Sequence, residues 1–153
     1  MIEGVEIKQL TRHVDERGYV MEILRNDEKE LLPKFGQVYI TIGYPNVVKG
    51  WHYHELQDDN FCVVKGMAKV ALYDRREDSP TKGNVLELFI GEKNPMVVHI
   101  PVGVVHGFKA VGNEPAYLLN VITEAYNREK PDEKRIPYDT DEIPYKWVKD
   151  ING

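Results

Sequence analysis

Punctuation constrains this chain more than any other feature. Glycines at positions 18, 43, 66, 83, 91, 103 and 112 fall between or at the edges of short runs rich in β-branched and aromatic residues. Those runs cover residues 5–9, 19–24, 37–42, 49–54, 59–65, 68–73, 84–90, 95–100, 106–110 and 116–121. Short strands at near-regular spacing, each closed by a turn residue, specify an antiparallel sandwich or barrel rather than alternating α/β units. Helical periodicity is confined to residues 27–34, where Pro33 stops it. The expected class is all-β.

The 153 residues suit one domain, 1–153, with a barrel core over about 5–126. From 127 the composition turns to charge and proline. Residues 127–153 therefore read as a short tail that wraps the barrel, anchored by Tyr138, Tyr145 and Trp147. The single cysteine, Cys62, has no intrachain partner, which points to a reducing, cytoplasmic setting. No apolar run approaches the ~20 residues of a membrane span, so no membrane partner is expected. The net charge is −5 with both signs interspersed, and no basic cluster marks a nucleic-acid footprint.

Two of the five histidines stand as His52-Tyr53-His54. Residues i and i+2 of a strand face one side, so His52 and His54 point together while Trp51 and Tyr53 point the other way. The Trp51 side is expected to pack on a second sheet, which leaves the histidines facing a polar cavity or solvent. A third histidine, His106, follows Pro101-x-Gly103, where proline fixes φ and glycine permits a tight turn at the head of a strand. With Asp59, these three make a sensible donor set for a divalent metal ion, because imidazoles and a carboxylate suit Zn, Fe, Ni or Mn. His13 and His99 have no motif around them and are expected to be structural or exposed.

The elements His52, His54, Asp59, Gly66 and then Pro101, Gly103, His106 resemble the two motifs of the cupin superfamily, with an aspartate where glutamate is usual and Ala110 where an asparagine is usual. The resemblance implies a jelly-roll β-barrel. A narrower likeness covers residues 14–127. Asp15-Glu16-Arg17-Gly18-Tyr19-Val20-Met21-Glu22, Lys49-Gly50-Trp51-His52-Tyr53-His54, the run 74–83, and Ile100 through Phe108 resemble, in order, segments of the dTDP-4-dehydrorhamnose 3,5-epimerases. Glu124-Ala125-Tyr126-Asn127 resembles a further turn of that family.

That likeness implies roles by position. His52 falls on the catalytic base, His106 on a second active-site histidine, and Tyr126 on a substrate-contacting tyrosine. Arg17 and Glu22 fall on residues that hold the nucleotide, often across a subunit contact. Gln37 matches a nucleotide-side glutamine, and Lys49 an arginine that binds the diphosphate. A homodimer with an exchanged N-terminal strand is implied as well. The departures are at the chemistry. Asp59 replaces the lysine that stabilises the enolate, and the general-acid tyrosine falls at Asn120, or at Leu119 with a different loop gap. Asp59 and Asn120 are thus candidate substrate-side residues. The acidic partner of the base lies in an extension that is truncated here, leaving Asp150 as its stand-in.

Three functions follow for comparison. The first is a metal-free, cofactor-free epimerase or isomerase of a nucleotide-linked (dTDP) 4-keto-6-deoxysugar, with histidine as base. The second is a metal-dependent cupin, an oxygenase or isomerase, using His52, His54, Asp59 and His106. The third is a non-catalytic sugar-binding cupin. The bland readings also stand as expectations. Arg17 closes a surface turn through ion pairs, residues 74–78 form a solvated loop, Ser79-Pro80-Thr81 is a structural hairpin, and 128–135 is a solvated charge run.

Overall fold

The computed structural model describes residues 1–148. Twelve strands form among them: β1 (Glu6–Gln9), β2 (His13–Asp15), β3 (Gly18–Val20), β4 (Gln37–Gly43), β5 (Val48–Tyr53), β6 (Asp59–Lys65), β7 (Met67–Asp74), β8 (Val85–Gly91), β9 (Met96–Ile100), β10 (Val104–Ala110), β11 (Ala116–Ile122) and β12 (Lys134–Arg135). They assemble as two five-stranded sheets, ordered β1-β9-β6-β11-β4 and β12-β5-β10-β7-β8, with β2-β3 as a separate hairpin. Every pairing is antiparallel. This is the all-β antiparallel architecture that the spacing of the glycines predicts, in the jelly-roll form that the resemblance implies. No helix of the described residues is long and apolar enough to cross a membrane.

The sheets face each other across one continuous core. Phe61 and Val63 from the first sheet meet Val70, Leu72, Val104 and Phe108 from the second, all buried. Alternation explains the choice, since Phe61 and Val63 of β6, Val70 and Leu72 of β7, and Val104 and Phe108 of β10 each share the inward face of their strand. Burial of this apolar surface is the dominant favourable term, at roughly 25 cal/mol per Å².

Downstream of β11, residues of the 136–147 stretch pack on the outer face of β5. Ile143 and Trp147 are buried against Trp51, Ala71 and Val105, with Tyr145, Ile136 and Tyr53 packed around them. Trp51 and Trp147 have ring centroids 4.7 Å apart. The apolar side of β5 therefore faces outward and is covered by the tail, not by a second sheet. Tyr138 is exposed and is not part of this apolar cluster. Packing is tight enough here to require glycine: a Cβ on Gly107 would lie 2.7 Å from Gly50 Cα and 3.0 Å from the Trp147 ring.

Four other expectations need correction. Residues 27–34 form a single turn, with Leu31 and Leu32 amides donating to the Glu28 carbonyl and both leucines buried, and no helix propagates. The strand expected over 19–24 ends at Val20, because Met21, Ile23 and Leu24 pack on Leu10, Cys62 and Val97 outside the first sheet. Asp74 is fully buried rather than solvated. It accepts hydrogen bonds from Arg76, Ser79 and Thr81 and so ties the β7–β8 loop. The run 128–135 is exposed as expected over 128–131, but Asp132 and Glu133 are half-buried, and Lys134 and Arg135 pair through the backbone with Tyr53 and His52 of β5.

Candidate functional site

The histidines point inward, between the sheets. In the β5–β10 register, His52 lies opposite His106, and their ring centroids are 4.1 Å apart. The turn before His106 is locked to the other histidine strand: Gly103, at φ +81°, donates its amide to the His54 carbonyl at 2.8 Å. That φ favours glycine, which explains the Pro101-x-Gly103 pattern. Asp59 reaches across from β6 of the facing sheet. Its Oδ2 lies 2.8 Å from His106 Nε2 and 3.2 Å from His54 Nε2, and its Oδ1 accepts from Gln57 Nε2 at 2.9 Å. Asp59 and His106 are each 1% exposed.

The tautomers follow from the partners. His106 Nδ1 is 3.0 Å from the Val104 carbonyl, and His54 Nδ1 is 2.7 Å from the Asp132 carbonyl. A carbonyl only accepts, so both Nδ1 atoms carry hydrogen. The two Nε2 atoms are then left facing Asp59, off the direct N–H line. They serve either as imidazolium donors to the carboxylate or as lone-pair donors to a cation.

Electrostatics separates the three rings. Burial, and then the adjacent His106, hold His52 well below the ordinary imidazole value of 6.5, so it is neutral at working pH. Burial pushes His54 the same way, but the Asp59 carboxylate outweighs it and raises His54. Burial alone would raise Asp59, yet contacts from His106 and His54 bring it well below the carboxylate range.

Two cavities open beside this cluster. One, of about 540 Å³, is lined by Tyr39, Thr41, Lys49, His52, Phe61, Glu133 and Arg135 among others. The second, of about 700 Å³, includes Gln37, Tyr39, His54, Gln57, Tyr126 and Asp132. Lys49 Nζ donates to Thr41 Oγ1 at 2.8 Å. Gln37 Oε1 accepts the Tyr126 amide at 2.8 Å. His52, Lys49, Gln37 and Tyr126 are thus gathered at the two openings. Asn120 is buried beneath them, accepting from the Asn60 amide and donating to the Tyr39 hydroxyl. Arg17 and Glu22 lie elsewhere. Both are exposed, Arg17 paired with Asp15 and Glu22 with Arg25, and neither lines these cavities in a single chain. Asp150 is outside the described residues. His99 is buried against Asn60, and His13 is exposed, as expected of structural or surface histidines.

Sequence reading alone missed Tyr39, Gln57, Asp132, Glu133 and Arg135. Gln37, Tyr39 and Thr41 alternate with Val38, Ile40 and Ile42, and that polar period of two was the available signal for Tyr39. Asp132 gave no such signal. Its carboxylate accepts the amides of Glu55, Leu56 and Gln57 while its carbonyl holds His54.

The four donors of His52, His54, Asp59 and His106 lie within 4.8 Å of one another. With Nδ1 of two rings committed to carbonyls, this set fits a divalent ion, since ligating imidazoles characteristically donate their other N–H to such an acceptor. The set equally closes as a proton-sharing cluster. The pH dependence of stability separates Asp59's part from His54's. Asp59, depressed on folding, stabilises above about pH 4 and loses that contribution as pH falls through its folded value. His54, raised on folding, stabilises below about pH 6.5 and loses it as pH rises through its folded value. The stability gap between wild type and Asp59→Asn, measured by urea unfolding, is expected to peak between about pH 4 and 6.5. A gap that keeps growing above pH 8 would contradict the pairing.

Comparison with known proteins agrees with this geometry. The model of the polysaccharide biosynthesis C-terminal domain family matches residues 13–134. The chain is 47% identical to the spore coat polysaccharide biosynthesis protein SpsL of Bacillus subtilis, covering 96% of this chain and 97% of that protein. It is 46% identical to the probable low-salt glycan biosynthesis epimerase Agl13 of Haloferax volcanii, covering 99% and 98%. Among solved structures, a dTDP sugar isomerase from Desulfovibrio desulfuricans superposes with a TM-score of 0.88 at 33% identity, covering 95% of this chain and 92% of that one. The chain therefore belongs to the polysaccharide biosynthesis C-terminal domain family and has the cupin fold of the dTDP-4-dehydrorhamnose 3,5-epimerase type.

Proposed function

We propose that this protein is an epimerase of a nucleotide-linked 4-keto-6-deoxysugar, of the dTDP class, in which His52 removes the proton beside the ketone. The observation that carries this reading is a neutral, half-buried imidazole on the wall of a polar cavity. The named epimerase among its relatives and the dTDP sugar isomerase among its structural neighbours support the substrate class. A neutral histidine can accept a carbon-bound proton, and its pKa sets where it works. Lys49 and Arg135 are the cations of the same cavity and supply positive charge for the enolate and diphosphate. Gln37 and Tyr126 hold the nucleotide side. Asp59 orients His54 and His106 rather than touching the sugar, and the single buried cysteine suits a reducing cytoplasm.

Arg17 and Glu22 reach a site only from a second subunit. The hairpin that carries Arg17 is a free arm with Val14, Tyr19 and Val20 exposed, and β4 is a sheet edge with Val38 and Ile40 exposed. Edges and apolar arms of this kind are covered by pairing. The protein is accordingly a homodimer built by arm exchange. Light scattering is expected to give twice the chain mass, and Val14→Asp/Val20→Asp to give the monomer. A wild-type monomer at micromolar concentration would refute the exchange.

The direct test is solvent hydrogen exchange. With dTDP-4-keto-6-deoxyglucose in deuterated water, wild type is expected to incorporate deuterium and His52→Ala to lose at least 100-fold of that rate, on the scale of general-base catalysis. Because His52 sits below its ordinary value, the acid limb of kcat/KM is expected below pH 6.5. Equal background exchange by both proteins would end the reading. Thermal stabilisation by dTDP without exchange would leave the non-catalytic binding protein.

One observation favours a second reading. The committed Nδ1 atoms of His54 and His106 leave their Nε2 atoms converging on Asp59, as ligands of a divalent ion would. Such an ion would polarise the ketone as a Lewis acid. Elemental analysis decides: the metal-free epimerase keeps its exchange activity after chelation. Stoichiometric metal that disappears together with activity in His54→Ala would establish the second reading instead.

A further inference from the structure

Inversion of a carbon centre needs two groups. A base takes the proton from one face, and an acid returns one to the other. The sequence resemblance assigns the acid to a tyrosine at Asn120, or at Leu119 with a different loop gap, and neither position carries a phenol here. A carboxamide cannot supply a proton to carbon, so the cavity must be searched for another donor.

Four candidates line it. Lys49 donates to Thr41 and sits on the same strand as His52, hence on the same side of the cavity. Glu133 and Arg135 pair with each other, and β12, which carries Arg135, also joins the His52 sheet. Tyr39 alone comes from the facing sheet. It lies directly opposite Asn120 in the β4–β11 register, and its hydroxyl accepts a hydrogen bond from Asn120 Nδ2 at 2.8 Å. With the amide donating to it, the phenol keeps its own O–H free to point into the cavity that His52 also lines.

We infer that Tyr39 is the proton donor of the inversion, the phenol having moved across one strand pair from position 120 to position 39. This rests on the epimerase reading above. His52 takes the proton from the carbon beside the ketone, and the C–H electrons move into the enolate. The enolate carbon then takes the Tyr39 proton on the opposite face as the O–H bond breaks. Asn120 Nδ2 hydrogen-bonds the phenolate so formed. Imidazolium and phenolate are reset by proton exchange with water through the open cavity, so no further reactant is consumed. Burial, and then the charge of Asp59, push the phenol up to about 12, which keeps it loaded with its proton at neutral pH.

Tyr39→Phe removes one oxygen and keeps the ring. In deuterated water with dTDP-4-keto-6-deoxyglucose, its recovered sugar is expected to carry deuterium without inversion, and epimer formation is expected to fall at least 100-fold. His52→Ala loses both. The exchanged pair Tyr39→Asn/Asn120→Tyr, which returns the phenol to the neighbouring strand, is expected to regain inversion that Tyr39→Asn alone has lost. It serves as well if Tyr39→Phe folds poorly. Epimer formed by Tyr39→Phe at the wild-type rate would overturn the assignment of Tyr39 alone. Absence of exchange and inversion in wild type would overturn the sugar-epimerase reading and this assignment with it.

Discussion

A buried carboxylate holds the two sheets in register at the working end of this barrel. Asp59 leaves β6 of one sheet and meets His106 and His54 from the other, at 2.8 and 3.2 Å. An uncompensated charge in that position costs several kcal/mol, so the imidazoles, Gln57 and the backbone carbonyls behind them form one interdependent set. Fixing His106 also fixes His52, which lies against it in the strand pair. The polar end of the barrel is therefore not an unfilled part of the core. It is a separate polar network that stops at Phe61, whose ring stacks edge-on against His106 and marks the start of the apolar half.

The same constraint separates chemistry by environment. Three imidazoles within ring-contact distance would titrate alike in water. Here His52, the ring that makes no ion pair with the carboxylate, is neutral, while His54 beside Asp59 is pushed toward its charged form. Pairs of titratable groups driven apart in this way are what acid–base catalysis requires. The tail contributes at a distance: Trp147 covers the outer face of β5, and Asp132 grips both the loop after β5 and the His54 ring.

What the sequence made legible was whatever depends on a local period. His52 and His54 share a face because strands repeat every two residues, and Gly103 had to precede His106 because the turn demands it. The side to which that face turns was not local. It depends on Trp51 finding Trp147 far downstream, so the sequence-based expectation of a second sheet over Trp51 failed. Residues 128–135 looked solvated because charge runs usually are, and only the pairing of β12 with β5 reveals Asp132 and Arg135 at the site. Tyr39 was hidden for the same reason, since its partnership with Asn120 exists only through the β4–β11 register. The short run at 27–34 has adjacent leucines and one proline, enough for a turn but not for the nucleus of a helix.

On the proposed mechanism the sugar lies between the His52 sheet and the Tyr39 sheet. A crystal structure with a bound dTDP-linked 6-deoxysugar is the sharpest test. The sugar ring is expected between the His52 imidazole and the Tyr39 hydroxyl, with the carbon beside C4 facing the imidazole and the diphosphate near Lys49. A sugar bound away from His52, or one held by an ion bridging His54, Asp59 and His106, would contradict it.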